Sequence, residues 1–313
     1  MSLPTPSPNQ AYWRVSALNT GTIHLPERHP ISDPSSTSHH RTTSRPCLSF
    51  LMQHSKNKSI KALFDLGLRK DPQSYPPAIQ HRLHQRHLAL SVPYDVRDTL
   101  LSSGIQPHEI SYVFLSHLHY DSIGDPRLFP NAMFLLGNAG YPLLERGYPY
   151  DAKSQFSSHA LPPERLIWLT PEDELTWKPL GPFPRANDIY KDGSMYIIDA
   201  PGHLEGHINL LIRTSRRGSW VYLAADTAAD ARVLRGEKPA ATYVDDVVGC
   251  TRGAHRDPKA AEEHMGRVRK LLNMRGEGGG PVVEVVLGHD AEWAGRNRDQ
   301  GFLPKKIHEV YQG

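Results

Sequence analysis

Three side chains that can hold a metal stand at alternate positions in "FLSHLHYDSIGD": His117, His119 and Asp121. On an extended segment alternate side chains face one side, so all three can converge on a point just past a strand end. Three further places repeat the theme. His203 and His207 follow the apolar run of "SMYIIDAPGHLEGH" after a turn, Asp226 closes "WVYLAAD", and His289 closes "VVEVVLGHD". Imidazole and carboxylate donors without a thiolate suit zinc, iron or manganese. Each mark is weak alone: a lone aspartate at a strand end is usually a turn or helix cap, and a lone histidine usually packs or faces water. Jointly, donors at successive strand ends point to a metal centre closed between two halves of the chain.

The elements that must carry these residues can be read from apolar runs. "CLSFLMQ" and "KALFDLG" predict paired strands, residues 94–103 a helix, and "YVFLSH" and "NAMFLLG" two buried strands. A second series follows in "SMYIIDAPG", "HINLLIRT" and "SWVYLAAD", then helical patterns near 228–235 and 257–273, and a last strand in "VVEVVLGHD". Residues 304–311 predict a terminal helix, and "NMRGEGGGP" a flexible loop. Residues 1–11 read as a flexible polar lead, and 26–46 and 145–190 as long loops rich in proline, serine or aromatics. No linker separates the two series, which predicts one domain over 1–313, with two half-domains packed sheet to sheet.

Composition narrows the classes. The chain has 313 residues, 38% hydrophobic and 22% charged, as expected of a globular protein able to bury a sizeable core. A net charge of +3 without a basic run argues against a nucleic-acid partner, and no apolar run reaches the ~20 residues of a membrane span. The N-terminal stretch lacks the basic-then-apolar pattern of a secretory signal, and two cysteines, Cys47 and Cys250, make no disulfide framework. A cytoplasmic location is the expectation; the oligomeric state is open.

The joined motifs resemble those of the metallo-β-lactamase superfamily, and among its members the lactonase-like branch with fungal relatives. "SHLHYDSIGD" resembles the family's first motif, H-x-H-x-D-H, and "DGSMYIIDAPGHLEGHINLLI" the segment carrying the next histidine. "YLAADT" resembles the bridging aspartate's strand, "VLGHD" the last histidine, and "ALFDLG" a strand with a buried aspartate, Asp65. The resemblance runs from about residue 48 to 290. It implies an α/β fold: an αββα sandwich of two mixed sheets packed face to face, with helices outside and the metal site at one edge. It also implies that His117, His119 and His203 form a three-histidine site, that Asp226 bridges two metals, and that Asp121 and His289 hold the second. Asp65, Ser122 and His207 are then supporting residues.

Two positions depart from the family pattern. Ser122 stands where the family has a histidine of the second metal, and Ala229 where lactonases of this branch often place a tyrosine. The expectation is therefore one tight Zn2+ and a second weak one. The implied reaction opens a small cyclic ester or amide. Zinc lowers the pKa of its water from about 15.7 towards ~7, the resulting hydroxide attacks the carbonyl, and Asp121 handles the proton. One alternative is an acyl thioesterase, whose rim could use Arg213, Arg216 and Arg217; another is a metal-depleted, non-catalytic binding protein, favoured only by Ser122. Walls for a small-molecule pocket are expected from 26–46, 68–92 and 141–190, including Tyr141, Tyr148, Tyr150, Phe156 and Trp168.

Overall fold

The computed structural model describes residues 2–26, 42–85, 88–245, 250–274 and 283–303. Among them, alternation builds the first sheet. In β1 (Trp13–Pro26), Trp13, Val15 and Ala17 face one way, and in β2 (Thr42–His54) Leu48, Phe50 and Met52 join them. β1 pairs with β2 along nearly its whole length, with a register shift between Asn19 and Thr22. β3 (Lys61–Phe64), β4 (Ala89–Ser91), β5 (Tyr112–Phe114), β6 (Met133–Gly137) and β7 (Leu166–Leu169) complete a seven-stranded mixed sheet of order β4-β1-β2-β3-β5-β6-β7.

The second sheet takes β8 (Lys178–Leu180), β9 (Phe183–Asp188), β10 (Met195–Asp199), β11 (Ile208–Arg213) and β12 (Trp220–Ala225). A small hairpin, β13 (Thr242–Asp245) and β14 (Cys250–Gly253), stands apart. β15 (Val283–Leu287) then returns parallel to β12, giving the order β15-β12-β11-β10-β9-β8. β11 and β12 are buried throughout, as continuous apolar runs covered on both faces must be.

The sheets pack on each other through Phe50, Phe64, Phe114 and Leu135 from one side and Ile197, Leu210, Leu223 and Val286 from the other. Each outer face is covered. Helix α1 (Pro77–Gln85) and helix α2 (Val96–Ser102) lie along the first sheet; Val96 and Leu100 of α2 pack with Leu51, Leu63 and Val113. Short α3 (Tyr120–Ile123), α4 (Tyr141–Glu145) and α5 (Ala231–Leu234) sit in the loops. The long α6 (Pro258–Leu272) covers the second sheet, and α7 (Ala291–Arg296) is the last helix among the described residues. In α6, Ala261, His264, Met265, Val268 and Leu271 repeat at three- and four-residue spacing, and Asp257 caps the first turn. This is the αββα sandwich the motifs imply.

Several expectations need correction. Residues 42–46 are the start of β2, not loop, and residues 27–41 lie outside the described set. Within 145–190 the chain forms β7, β8 and β9 rather than one irregular stretch. Residues 2–12 carry no helix or strand, yet they are docked: Leu3 and Ala11 are buried, and Arg213 donates to the Pro4 carbonyl. The terminal helix expected over 304–311 lies outside the described residues, as does most of the "NMRGEGGGP" loop. No described helix is long and apolar enough to cross a membrane.

Candidate metal centre

The site forms where strands of both sheets end at one edge. β5 gives way after Phe114 to "LSHLHYD", and α3 begins directly after His119. β10 and β11 are joined by the turn that carries His203 and His207. β12 runs to Ala225, which sits in the left-handed region (φ 41°) where its pairing with β15 slips. That local twist ends the ladder and puts Asp226 at the edge. Beyond β15, the Gly288 carbonyl accepts from the Leu48 N–H, tying the His289 turn to β2.

His117, His119, His203 and Asp226 each bring one donor atom to a group whose members all lie within 4.8 Å of one another. His119 Nδ1 is 3.0 Å from His203 Nε2, and Asp226 Oδ2 lies 3.3 Å from His203 Nε2 and 3.8 Å from His117 Nε2. The other oxygen of Asp226, Oδ1, is 3.6 Å from His289 Nε2, which is also 3.6 Å from Asp121 Oδ2. Asp226 therefore turns one oxygen to the three imidazoles and one to the His289–Asp121 pair.

The donor set fits a divalent metal. Burial, and then neighbouring imidazoles, push His117 and His203 well below their usual pKa; burial pushes His119 down to about 4. All three are thus neutral, as ligands must be. His117 Nε2 and Asp121 Oδ1 are buried with no hydrogen-bond partner among the described residues. Such orphans call for an explanation, and a cation in their midst supplies one. Across the site the balance differs. Burial alone would depress His289, but the Asp226 carboxylate leads a set of partners that raise it well above its usual value. Burial would likewise raise Asp121, yet its hydrogen bond with His289 and the charge there hold it low. Burial pushes Asp226 up to about 6.

Supporting contacts fix the ring orientations. Asp65 accepts from the Ser116 N–H and Oγ–H, both at 2.7 Å, and Ser116 Oγ lies 2.8 Å from His117 Nδ1. A proton on His117 Nδ1 donated to Ser116 leaves Nε2 free to bind. His207 Nδ1 is 2.9 Å from the Ala200 carbonyl, and its ring edges that of His117 at 5.3 Å; it stands outside the ligand group. Ser122 is buried in α3. Its N–H donates to the His119 carbonyl and its own carbonyl accepts from the Leu66 N–H at 2.7 Å, so its backbone helps hold the ligand loop. At Ala229, the carbonyl accepts from Arg45, which also pairs with Asp230 at 2.7 Å.

The structure sorts the remaining candidates. Phe156 stacks on His119 with ring centres 6.1 Å apart, whereas Trp168 lies on β7 against Tyr141. Tyr141, Tyr148 and Tyr150 are exposed. Arg213 is not a rim residue: it is fully buried, with its guanidinium 4.1 Å from the Trp220 ring centre. Two neighbours of the site were not expected. Cys47 is buried with its sulfur 3.8 Å from His289 Nδ1, and burial pushes its thiol up to about 11. His255 stands beside His203, their Nδ1 atoms 3.4 Å apart. A cysteine opening a strand and a histidine two residues before a helix cap were the available signals, and neither says what it will meet.

No protein-family model matches the chain. The chain is 32% identical over 168 residues to a protein named gamma-lactamase MBL2 of Gibberella moniliformis (strain M3125 / FGSC 7600), spanning 53% of this chain and 70% of that one. It is 31% identical over 184 residues to gamma-lactamase FDB1 of Fusarium pseudograminearum (strain CS3096), covering 57% of this chain and 44% of that one. Among solved structures it resembles an N-acyl homoserine lactone hydrolase with the product N-hexanoyl-L-homoserine bound at its catalytic metal centre. The TM-score is 0.68 at 15% identity, over 95% of this chain and 99% of that one. The chain belongs to the metallo-β-lactamase superfamily, in its lactonase-like branch with fungal relatives. It spans under half the length of the first curated relatives it matches, 44% and 30%.

Proposed function

We propose that the protein is a metal-dependent hydrolase that opens a small cyclic ester or amide. The observation that carries this is the convergence of His117, His119, His203 and Asp226, with His289 and Asp121 facing the second oxygen of Asp226. The names of the two relatives favour a γ-lactam, or the equally sized lactone, as the ring. In this reading the three histidines and Asp226 hold a tight Zn2+, and Asp226, Asp121 and His289 a weaker second ion. The metal, once bound, supplies an activated water and polarises the carbonyl.

This chain's residues do the rest. Asp121, with one buried oxygen that has no hydrogen-bond partner among the described residues, orients the water and passes its proton to the departing oxygen or nitrogen. The Asp65–Ser116–His117 chain keeps His117 in the tautomer that offers Nε2. Phe156, stacked on His119, walls one side of the space beside the imidazoles. The test is a hydrolysis screen over γ-lactones, γ-lactams and acyl thioesters, with zinc content measured beside it. Ring opening that follows zinc occupancy is expected. A zinc-loaded protein that cleaves thioesters and leaves every ring intact sinks the proposal.

A further inference from the structure

We propose that His255 is a positioning residue for His203, holding it through its second ring nitrogen. This rests on the metal-site reading above. His203 Nε2 faces the group, 3.0 Å from His119 Nδ1 and 3.3 Å from Asp226 Oδ2. Its Nδ1 faces the other way, 3.4 Å from His255 Nδ1, with the rings 5.4 Å apart and nearly perpendicular at 82°. A neutral imidazole that gives its Nε2 lone pair to a metal carries its proton on Nδ1. That proton needs an acceptor, and among the described residues His255 Nδ1 is the one within reach.

The placement of His255 is built into the fold. The Arg256 N–H donates to the His203 carbonyl at 3.1 Å, and the Asp257 N–H to the Gly202 carbonyl at 2.9 Å. Asp257 in turn caps α6. The segment before the helix is therefore laced to the turn that presents His203, which fixes the backbones that carry the two rings side by side. His255 Nε2 is buried and has no partner among the described residues. An acceptor at Nδ1 requires its proton to sit on that other nitrogen. His203 is thereby served as Ser116 serves His117: each has an acceptor behind it that fixes the tautomer and the ring plane.

Three variants and three readouts test this on the full chain. His255→Phe keeps a ring without nitrogens, His255→Ala removes the ring, and His255→Asn places an amide oxygen near the Nδ1 position. Zinc affinity is measured by competition with a chelator, and metal-free thermal stability serves as the control for folding. Loss of a partner behind a ligating histidine typically lowers metal affinity about 10–100-fold. Phe and Ala are expected to lose that much and Asn to recover most of it, with metal-free melting unchanged. In the Co2+-loaded protein the exchangeable Nδ1 proton of His203 should be visible by NMR in wild type and Asn, and lost to fast exchange in Phe. A Phe variant that binds zinc as tightly as wild type overturns the inference while leaving the metal site standing. A wild-type chain that binds no zinc overturns both.

Discussion

At the scale of single residues the imidazoles decide whether there is a site. His119 shares its donor position with His203 and Asp226, so His119→Ala is expected to remove most bound zinc and most ring-opening activity. Zinc analysis beside turnover checks it, and near-normal values of both would show that the cluster is not the site. Asp226 has a different signature because its two oxygens face different partners. Asp226→Asn keeps the shape but weakens the Oδ1 side and the Oδ2 side together, so stoichiometry in a zinc titration should fall from two to one or below. Unaltered stoichiometry would make Asp226 a structural cap. These residues stood out in the sequence because a strand end is visible as a stopped apolar run, and donors at several successive strand ends are informative together though each is weak alone. Cys47 and His255 were not. Their closeness to His289 and His203 comes from pairing between distant segments, which local spacing does not encode.

At the scale of elements, the turn bearing His203 is held by close backbone approach. Gly206 has φ +76°, and a Cβ there would lie 2.6 Å from the Gly137 carbonyl oxygen; across the turn, Gly202 would meet the Ala261 nitrogen at 2.3 Å. Neither contact can give way without moving β6 or α6. Gly206→Ala is expected to shift the turn and weaken zinc about tenfold or more, with far-UV circular dichroism unchanged because both sheets keep their cores. Zinc affinity equal to wild type would mean that the turn tolerates the displacement. β11 and β12 of the second sheet were legible since both faces are buried and their runs are mostly apolar, whereas β8 and β9 of the same sheet, short and partly exposed, were not. β1 escaped notice for the opposite reason. Its apolar residues alternate with polar ones and are interrupted at Gly21, where the register with β2 shifts, so no local run marks it as a strand.

At the scale of the whole molecule, buried neutral histidines make stability depend on pH. Burial pushes His119 and His207 down to about 4 and His264 to about 3, with His117 and His203 lower than usual as well. Each binds a proton more readily when the chain is unfolded, near pH 6.5, than when it is folded. Their contribution is therefore present in full above about pH 6.5 and is lost as pH falls through about 4. For His207, which is almost wholly buried, the shift from 6.5 to about 4 corresponds to ~3 kcal/mol. These histidines should thus lower the melting temperature of the metal-free protein as pH falls from 6.5 to 4, against an opposing trend from Asp65, Asp226 and His289, whose raised values favour the folded state as pH falls. Zinc competes with protons for His117, His119 and His203, so the loaded protein should hold its melting temperature to lower pH before failing. His264 gives an internal control. It bonds to Asn209 and Tyr222 under α6, away from the ligand group, so zinc cannot shield it. His264→Gln should flatten the acid slope by a similar amount with and without zinc, whereas zinc itself should flatten only what the ligands contribute. Melting temperatures recorded from pH 4 to 8, with zinc and with chelator, separate these effects. Parallel curves for the two conditions would mean that the imidazoles at the sheet edge hold no metal.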